Sequence, residues 1–308
     1  LSKILDLEFF QHIHRSLLQS PKPTIKRELM NSIDWDEKLI CIKGFRGVGK
    51  TTFLLDYIKK NYPDTNSALY LNLNNFYFTK RSIRSFADEF AKRGGKVLIL
   101  DQIQKFPEWS SDLRKCAKEI PDLKIIFTSS PVLRVGEGNP DLEGIASINH
   151  LEGLSFREYL KHQTGENFRI YTLEEIIANH TEIAGEIVSK VRPLAFFDDY
   201  LKHGYFPYFM DDPNFYVNRL LKHINLALEI DVPYINQIEL KYLSKLRKLL
   251  HIIAAETPFT PNVSKLAAAV QTSMATVMNY LKYLKNAKLI HLLYSNGGED
   301  QMKKPDMV

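Results

Sequence analysis

The sequence predicts an α/β fold: a parallel sheet with helices on both faces, followed by an α-helical region and a compact C-terminal segment. Three observations carry that expectation. Four short apolar runs alternate with segments of helical spacing, a glycine-rich loop joins the first run to the first helix, and from Thr172 to residue 257 the periodicity is helical.

Taken in order, Leu39-Ile40-Cys41-Ile42 is a short apolar run ending before Gly44, and Lys50 to Lys60 places Phe53, Leu54, Tyr57 and Ile58 at helical spacing. Ala68 to Leu73 reads as a second strand, Ser82 to Phe90 as a helix, and Lys96 to Leu100 as a third strand. Ser111 to Ile120 reads as a helix and Leu123 to Phe127 as a fourth strand. Parallel neighbours need crossover helices, so the sheet is covered on both sides and its ligand site belongs beyond the C-terminal strand ends.

After a loop with Gly136, Gly138 and Pro140, Ser147 to His150 gives one more strand. Ser155 with Glu158 has capping-box spacing, repeated by Thr172 with Glu175. The sheet domain closes near residue 165. Helical segments then run to residue 257, broken at Pro193, at Gly204 with Pro207, and at Asp212-Pro213, with a long stripe at Leu240, Leu243, Leu246, Leu249, Leu250 and Ile253, so this region reads as a helical bundle or lid. Pro258 and Pro261 set off the last segment, so the expected domains are 1–165, 166–257 and 258–308.

At 308 residues, with 44% hydrophobic and 25% charged side chains, the chain has ordinary globular composition and excludes a disordered, fibrous or disulfide-stapled class. Cys41 and Cys116 lack metal or redox spacing, which fits a reducing, cytoplasmic setting. A net charge of +5 permits a nucleic-acid partner without requiring one. No basic-then-apolar leader and no apolar run of about eighteen residues occurs, so neither a secretory signal nor a membrane partner is expected. A start at Leu1 and an end at Met307-Val308 read as a processed or partial chain.

Gly44-Phe45-Arg46-Gly47-Val48-Gly49-Lys50-Thr51 matches G-x-x-x-x-G-K-[ST] between a strand and a helix. Its glycines let backbone N–H groups converge on phosphate oxygens at a helix start. Lys50 is expected to reach the β- and γ-phosphates and the Thr51 hydroxyl to join a Mg²⁺ shell, with Arg46 and Thr52 flanking. The run Val97-Leu98-Ile99-Leu100 delivers Asp101 at a strand end, where it holds the metal directly or through water. Gln102 follows; it can orient water but cannot accept a proton. Thr128 or Ser129, in Phe127-Thr128-Ser129-Ser130, is placed to sense a γ-phosphate, with strand-end hydrogen bonding as the plainer account. No Asn-Lys-x-Asp motif supports guanine, so ATP or ADP with Mg²⁺ is the expected ligand set.

With these residues the chain resembles prokaryotic AAA+ superfamily ATPases in which a P-loop domain is followed by helices, a winged helix and commonly a nuclease-like domain of uncharacterised function. Besides the two motifs, Gln102-Ile103-Gln104-Lys105 with Trp109 and Gly153-Leu154-Ser155-Phe156-Arg157-Glu158-Tyr159-Leu160 carry the resemblance. It implies a P-loop NTPase sheet, ATP hydrolysis, and a sensor strand between the P-loop strand and the Asp101 strand. Two departures stand out. The family usually has glutamate where Gln102 stands, which reads either as a natural replacement in a weak or inactive switch or, the reading favoured, as an engineered one that holds ATP. Family arginines after an Asp-Leu-Ser segment give way here to Asp141-Leu142-Glu143-Gly144-Ile145. The nuclease-like domain would begin near Val308, and no nuclease site is assigned.

In the last segment, Asn262 to Val270, Gln271-Thr272 and a helix from Ser273 carrying Val277, Tyr280, Leu281 and Leu284 have helix-turn-helix spacing. Leu289 to Tyr294 reads as a strand and Asn296-Gly297 as a hairpin turn opening a wing. From Phe259 to Gly298 the charged residues are Lys265, Lys282, Lys285 and Lys288. Lys265 and Lys282 are candidate phosphate contacts to double-stranded DNA, and Thr272, Ser273, Thr276 and Asn279 candidate base contacts; packing against a protein partner or a second copy is the alternative. Asp198-Asp199 and Asp211-Asp212 read as helix ends and turns, His150, His162 and His180 form no metal triad, and the aromatics of Gly204 to Phe209 read as packing. Arg134 and Arg157 fit either a phosphate or a salt bridge.

Overall fold

A computed structural model describes residues 7–19, 25–64, 66–79, 81–233, 239–294 and 304–308. The chain divides into two units, Leu1–Ser129 with Val135–Val217, and Ser130–Arg134 with Asn218–Val308.

The first unit contains β1 (Leu39–Lys43), β2 (Ala68–Asn72), β3 (Val97–Asp101), β4 (Lys124–Ser129) and β5 (Ser147–His150), all parallel in the order β2-β3-β4-β1-β5. The strand expected to carry the sensor residue lies between the P-loop strand and the Asp101 strand. β1 and β3 are apolar and almost wholly buried because neighbours cover them on both faces. β4 runs two residues further than expected, so Thr128 and Ser129 belong to the strand, with Thr128 opposite Ile42 and Ser129 opposite Lys43.

The helices of this unit are α1 (Leu7–Gln19), a single turn α2 (Leu29–Ser32), α3 (Lys50–Asn61), α4 (Ile83–Lys92), α5 (Trp109–Glu119), α6 (Phe156–Thr164), α7 (Leu173–Lys190) and α8 (Leu194–Asp199). Ser82 caps α4 from outside rather than starting it, accepting from the Ser85 N–H, and α5 begins two residues before the expected Ser111. Both capping boxes are present, Ser155 with Glu158 and Thr172 with Glu175. No side chain of α7 is buried, although its periodicity suggested a bundle; Leu173 and Ile177 are among its exposed residues. The Gly204 to Phe209 aromatics do pack: Phe206, Tyr208 and Phe209 are buried, with Phe206 and Tyr208 stacked at 5.2 Å.

β2 is an outer strand, and α1 covers it. The fully buried His14 accepts a hydrogen bond from the Tyr70 N–H at 3.3 Å. Burial, helped by the charge of Arg15, lowers the His14 pKa to about 4, so the ring is a neutral acceptor at physiological pH. Burial likewise pushes the Cys41 and Cys116 thiols up to about 12, leaving both protonated and inert.

The second unit contains most of α9 (Tyr216–Leu226), then α10 (Leu243–Ala254), α11 (Val263–Val270) and α12 (Met274–Asn286). Leu246, Leu249, Leu266, Val270, Val277 and Leu281 lie in one core, so the stripe read on α10 meets the apolar faces of the two helices after it. Leu289 to Tyr294 is not a strand. Leu293 alone forms an antiparallel bridge, to Met307, and Phe259 exchanges two backbone hydrogen bonds with Val308, at 3.2 and 3.0 Å. The expected turn at Asn296-Gly297 lies outside the described residues. Among the described residues no helix is long and apolar enough to cross a membrane.

Candidate functional site

β1 ends at Lys43 and α3 begins at Lys50, so the loop from Gly44 to Gly49 sits at the C-terminal edge of the sheet. Two glycines are dictated by conformation, Gly47 with φ 87° and Gly49 with φ 94°, where a side chain would be strained. Gly44 is dictated by space: a Cβ there would lie 2.2 Å from the Leu151 carbonyl oxygen. Val48 is fully buried while Arg46, Gly47, Lys50, Thr51 and Thr52 remain partly exposed. Lys50 Nζ donates to the Gly44 and Phe45 carbonyls at 2.6 and 2.9 Å, curling over the loop. No side chain caps α3, leaving its first N–H groups facing the loop's concavity.

Asp101 is the hub of the neighbouring hydrogen bonds. Its Oδ2 accepts from Thr51 Oγ1 at 2.8 Å and from the Tyr70 hydroxyl at 2.5 Å, and its Oδ1 accepts from Thr128 Oγ1. Sequence reasoning did not single out Tyr70, because the pairing that sets it two residues before Asn72, the register partner of Asp101, appears only in the folded sheet. Burial, with the Asp101 carboxylate beside it, holds the Tyr70 phenol above its ordinary range, so it remains a donor. Thr128 also accepts from the Gln102 N–H at 2.9 Å, so one hydroxyl ties β4 to both members of the Asp101-Gln102 pair. Gln102 itself is left-handed, φ 62° and ψ 52°, and its side-chain amide reaches Asn72 Oδ1 at 3.5 Å.

Sequence reasoning missed Arg27 altogether. Its guanidinium donates to the Val48 carbonyl at 3.0 Å, the Glu152 carbonyl at 2.7 Å, the Gly153 carbonyl at 3.0 Å and Glu158 Oε1 at 3.0 Å. The adjacent Glu28 pairs in turn with Arg157, which settles Arg157 as a salt-bridge residue. The Gly153 to Glu158 motif is therefore a clamp: two crossed ion pairs that fasten the segment before β1 to α6 and brace the back of the P-loop. Burial works to raise the Glu158 carboxyl, but the Arg27 charge and the N–H groups of Ser155 and Glu28 outweigh it and hold that carboxyl below its ordinary range.

In the second unit, Lys265, Ser273, Asn279 and Lys282 are exposed, and Thr272 and Thr276 half-buried. Ser273 Oγ accepts from the Thr276 N–H at 3.1 Å and the two hydroxyls share a hydrogen bond at 2.8 Å. Two of the four candidate base contacts are thus already engaged in capping α12.

Residues 36–160 match the family model of an AAA domain, and residues 195–304 match that of a domain of unknown function, DUF8612. The uncharacterized proteins MJ1637 and MJ1544 of Methanocaldococcus jannaschii are 25% and 26% identical, over 90% and 83% of this chain. The chain spans 61% and 56% of their lengths. Among solved structures, AMPPCP-bound DnaA from Aquifex aeolicus has a TM-score of 0.31 at 13% identity, covering 93% of this chain and 91% of that one. The Saccharomyces cerevisiae Hsp104–ADP complex has a TM-score of 0.36 at 14% identity, covering 90% and 40%. The AAA match falls on the segment that carries the parallel sheet and the P-loop, a P-loop NTPase-like fold suited to binding nucleotide.

Proposed function

We propose that this chain is an ATP-binding, AAA+-like molecular switch, and that its active form hydrolyses ATP. The observation that carries the reading is the convergence of an uncapped helix start, Lys50 and the Thr51–Asp101–Thr128 hydrogen bonds at one edge of a parallel sheet. In this reading the N–H groups from Gly47 to Thr52 cradle the phosphates, while Gly44 and Arg46 complete the loop and Lys50 exchanges its loop carbonyls for phosphate oxygens. Thr51 and Asp101 present adjacent hard oxygen donors, which fits Mg²⁺ held by few protein ligands plus phosphate. Thr51 and Asp101 would hold that ion, whose charge offsets the triphosphate's. Among the described residues no cluster of three His, Cys, Asp or Glu side chains offers a competing metal site.

Gln102 is the residue positioned to direct water at the γ-phosphorus. Its amide can hold the water but cannot remove its proton, so turnover in this chain is slow. Gln102→Glu is expected to raise turnover at least about tenfold with nucleotide affinity unchanged, measured by phosphate release and by titration calorimetry. No gain would favour the second reading, a non-hydrolysing adaptor whose shape is fixed by bound ATP.

Residues 258–308, within the second unit, we read as a winged helix that engages duplex DNA or a protein. The succession α10, Phe259, α11, α12, Leu293, Met307, with Leu293 and Phe259 both bonded to the terminal residues, supports this. Lys265, Asn279 and Lys282 are its exposed candidate DNA contacts. Duplex binding that falls with salt, and weakens in Lys282→Gln, tests it; absence of binding at low salt removes the DNA part and leaves a protein or a second copy as partner.

A further inference from the structure

A second concavity in the first unit lies apart from the phosphate-facing side of the P-loop. It is a cleft of about 800 Å³ between residues 25–32, one face of α3, and the stretch from Lys161 to Ile170. Six cations line it, Lys26, Arg27, Lys59, Lys60, Lys161 and Arg169, against two carboxylates, Glu28 and Asp56. Arg27 is neutralised by Glu158 and Glu28 by Arg157. That leaves five cations to one acid. Arg169 pairs with Glu175 on the surface, a weak bond that a better partner displaces. Lys26, Lys59 and Lys60 are exposed. Between these charges the lining mixes Asn31, Ser32 and Asn167 with apolar residues: Met30 is half-buried, Phe168 is buried in the cleft wall, and Ile170, 63% exposed, stands at the rim.

Charge and apolar lining together select the occupant. A small inorganic anion would satisfy the cations and leave the apolar surface wet. A duplex turns its phosphates outward and keeps its bases stacked inside, so it too would use the charge alone. An acidic peptide likewise brings carboxylates without flat apolar faces. A single strand offers both, with a run of phosphates for the lysines and unstacked bases for the apolar surface.

We propose that this cleft binds single-stranded nucleic acid, with Lys59 and Lys60 meeting backbone phosphates and Ile170 contacting a base. This surface is built from first-unit residues alone and does not depend on nucleotide hydrolysis.

The test uses the full chain and a fluorescein-labelled oligothymidylate of about twelve residues, read by anisotropy across a salt series. Lys59→Gln with Lys60→Gln is expected to weaken binding about tenfold or more and to reduce the slope of log K against log salt by about 1.4, two phosphate contacts at roughly 0.7 each. Ile170→Ser, at an exposed position that tolerates the change, is expected to weaken oligothymidylate binding while leaving an abasic strand of equal length unaffected. Retained ATP binding in the double variant shows an intact fold. Unchanged affinity in the double variant, equal binding of the abasic strand, or equal competition by a poly-glutamate peptide would each overturn the proposal. Absence of single-strand binding at low salt would do so too.

Discussion

Helices α3 and α12 each follow a short turn through a left-handed residue, Gly49 with φ 94° and Gln271 with φ 55°, yet their first turns end in opposite conditions. At α3 no side chain takes up the first N–H groups. At α12 the Ser273 hydroxyl accepts one of them and binds Thr276 as well. An open start is a place for an anion; a closed one has already met its need internally. The difference bears on the proposed reading of the second unit, because Ser273 and Thr276 are already committed to capping α12.

The largest effect that bears on this contrast concerns what keeps the open start in shape. Arg27→Gln leaves the Glu158 carboxylate, 7% exposed in its side chain, without its cation, and is expected to cost about 3–5 kcal/mol in urea unfolding of the first unit. With Arg27 in place, the depressed Glu158 pKa contributes stability above the unfolded value and loses it as pH falls through the folded one. Acid unfolding of the variant should lack that component.

Next in size, Lys50→Ala is expected to weaken Mg-ATP binding by about 1.5–3 kcal/mol in calorimetry, the worth of a hydrogen bond to a charged group, with no change in oligonucleotide binding. Equal nucleotide affinity in the variant would break the contrast outright. Acid sensitivity gives a third comparison. His14 has a folded pKa of about 4 against an ordinary 6.5, so the unfolded chain takes up its proton first. Stability of the first unit should therefore fall by up to about 1.4 kcal/mol per pH unit as pH drops through that window, and His14→Gln should flatten the slope. Smallest, Ser273→Ala should lower the stability of the second unit by about 1 kcal/mol in the same urea experiment and leave ATP binding unchanged.

How much of this was legible depends on how local the signal is. The strands of the sheet and the caps Ser155 and Thr172 are written in neighbouring residues, and the P-loop states its own backbone through Gly44, Gly47 and Gly49. Arg27 was not legible, because its partners Val48, Glu152, Gly153 and Glu158 are brought to it only by the fold. Glu158 read as a cap partner, which it is, while its second task left no mark at that spacing. Gln102 gave no hint of its left-handed backbone, since glutamine is not among the residues that favour it. Periodicity predicted that α7 is a helix but not whether anything lies against it, and it lent Leu289 to Tyr294 a strand pattern that only Leu293 realises.

The way α1 lies along β2 has a practical bearing on how this protein can be shortened. Deleting residues before about Lys26 would take away His14 and present the Tyr70 N–H, with the rest of that outer strand, as a template for edge-to-edge association between molecules. A truncated form retaining the whole P-loop would then be lost to aggregation, and a charged or proline substitution on β2 would be the rescue to try first.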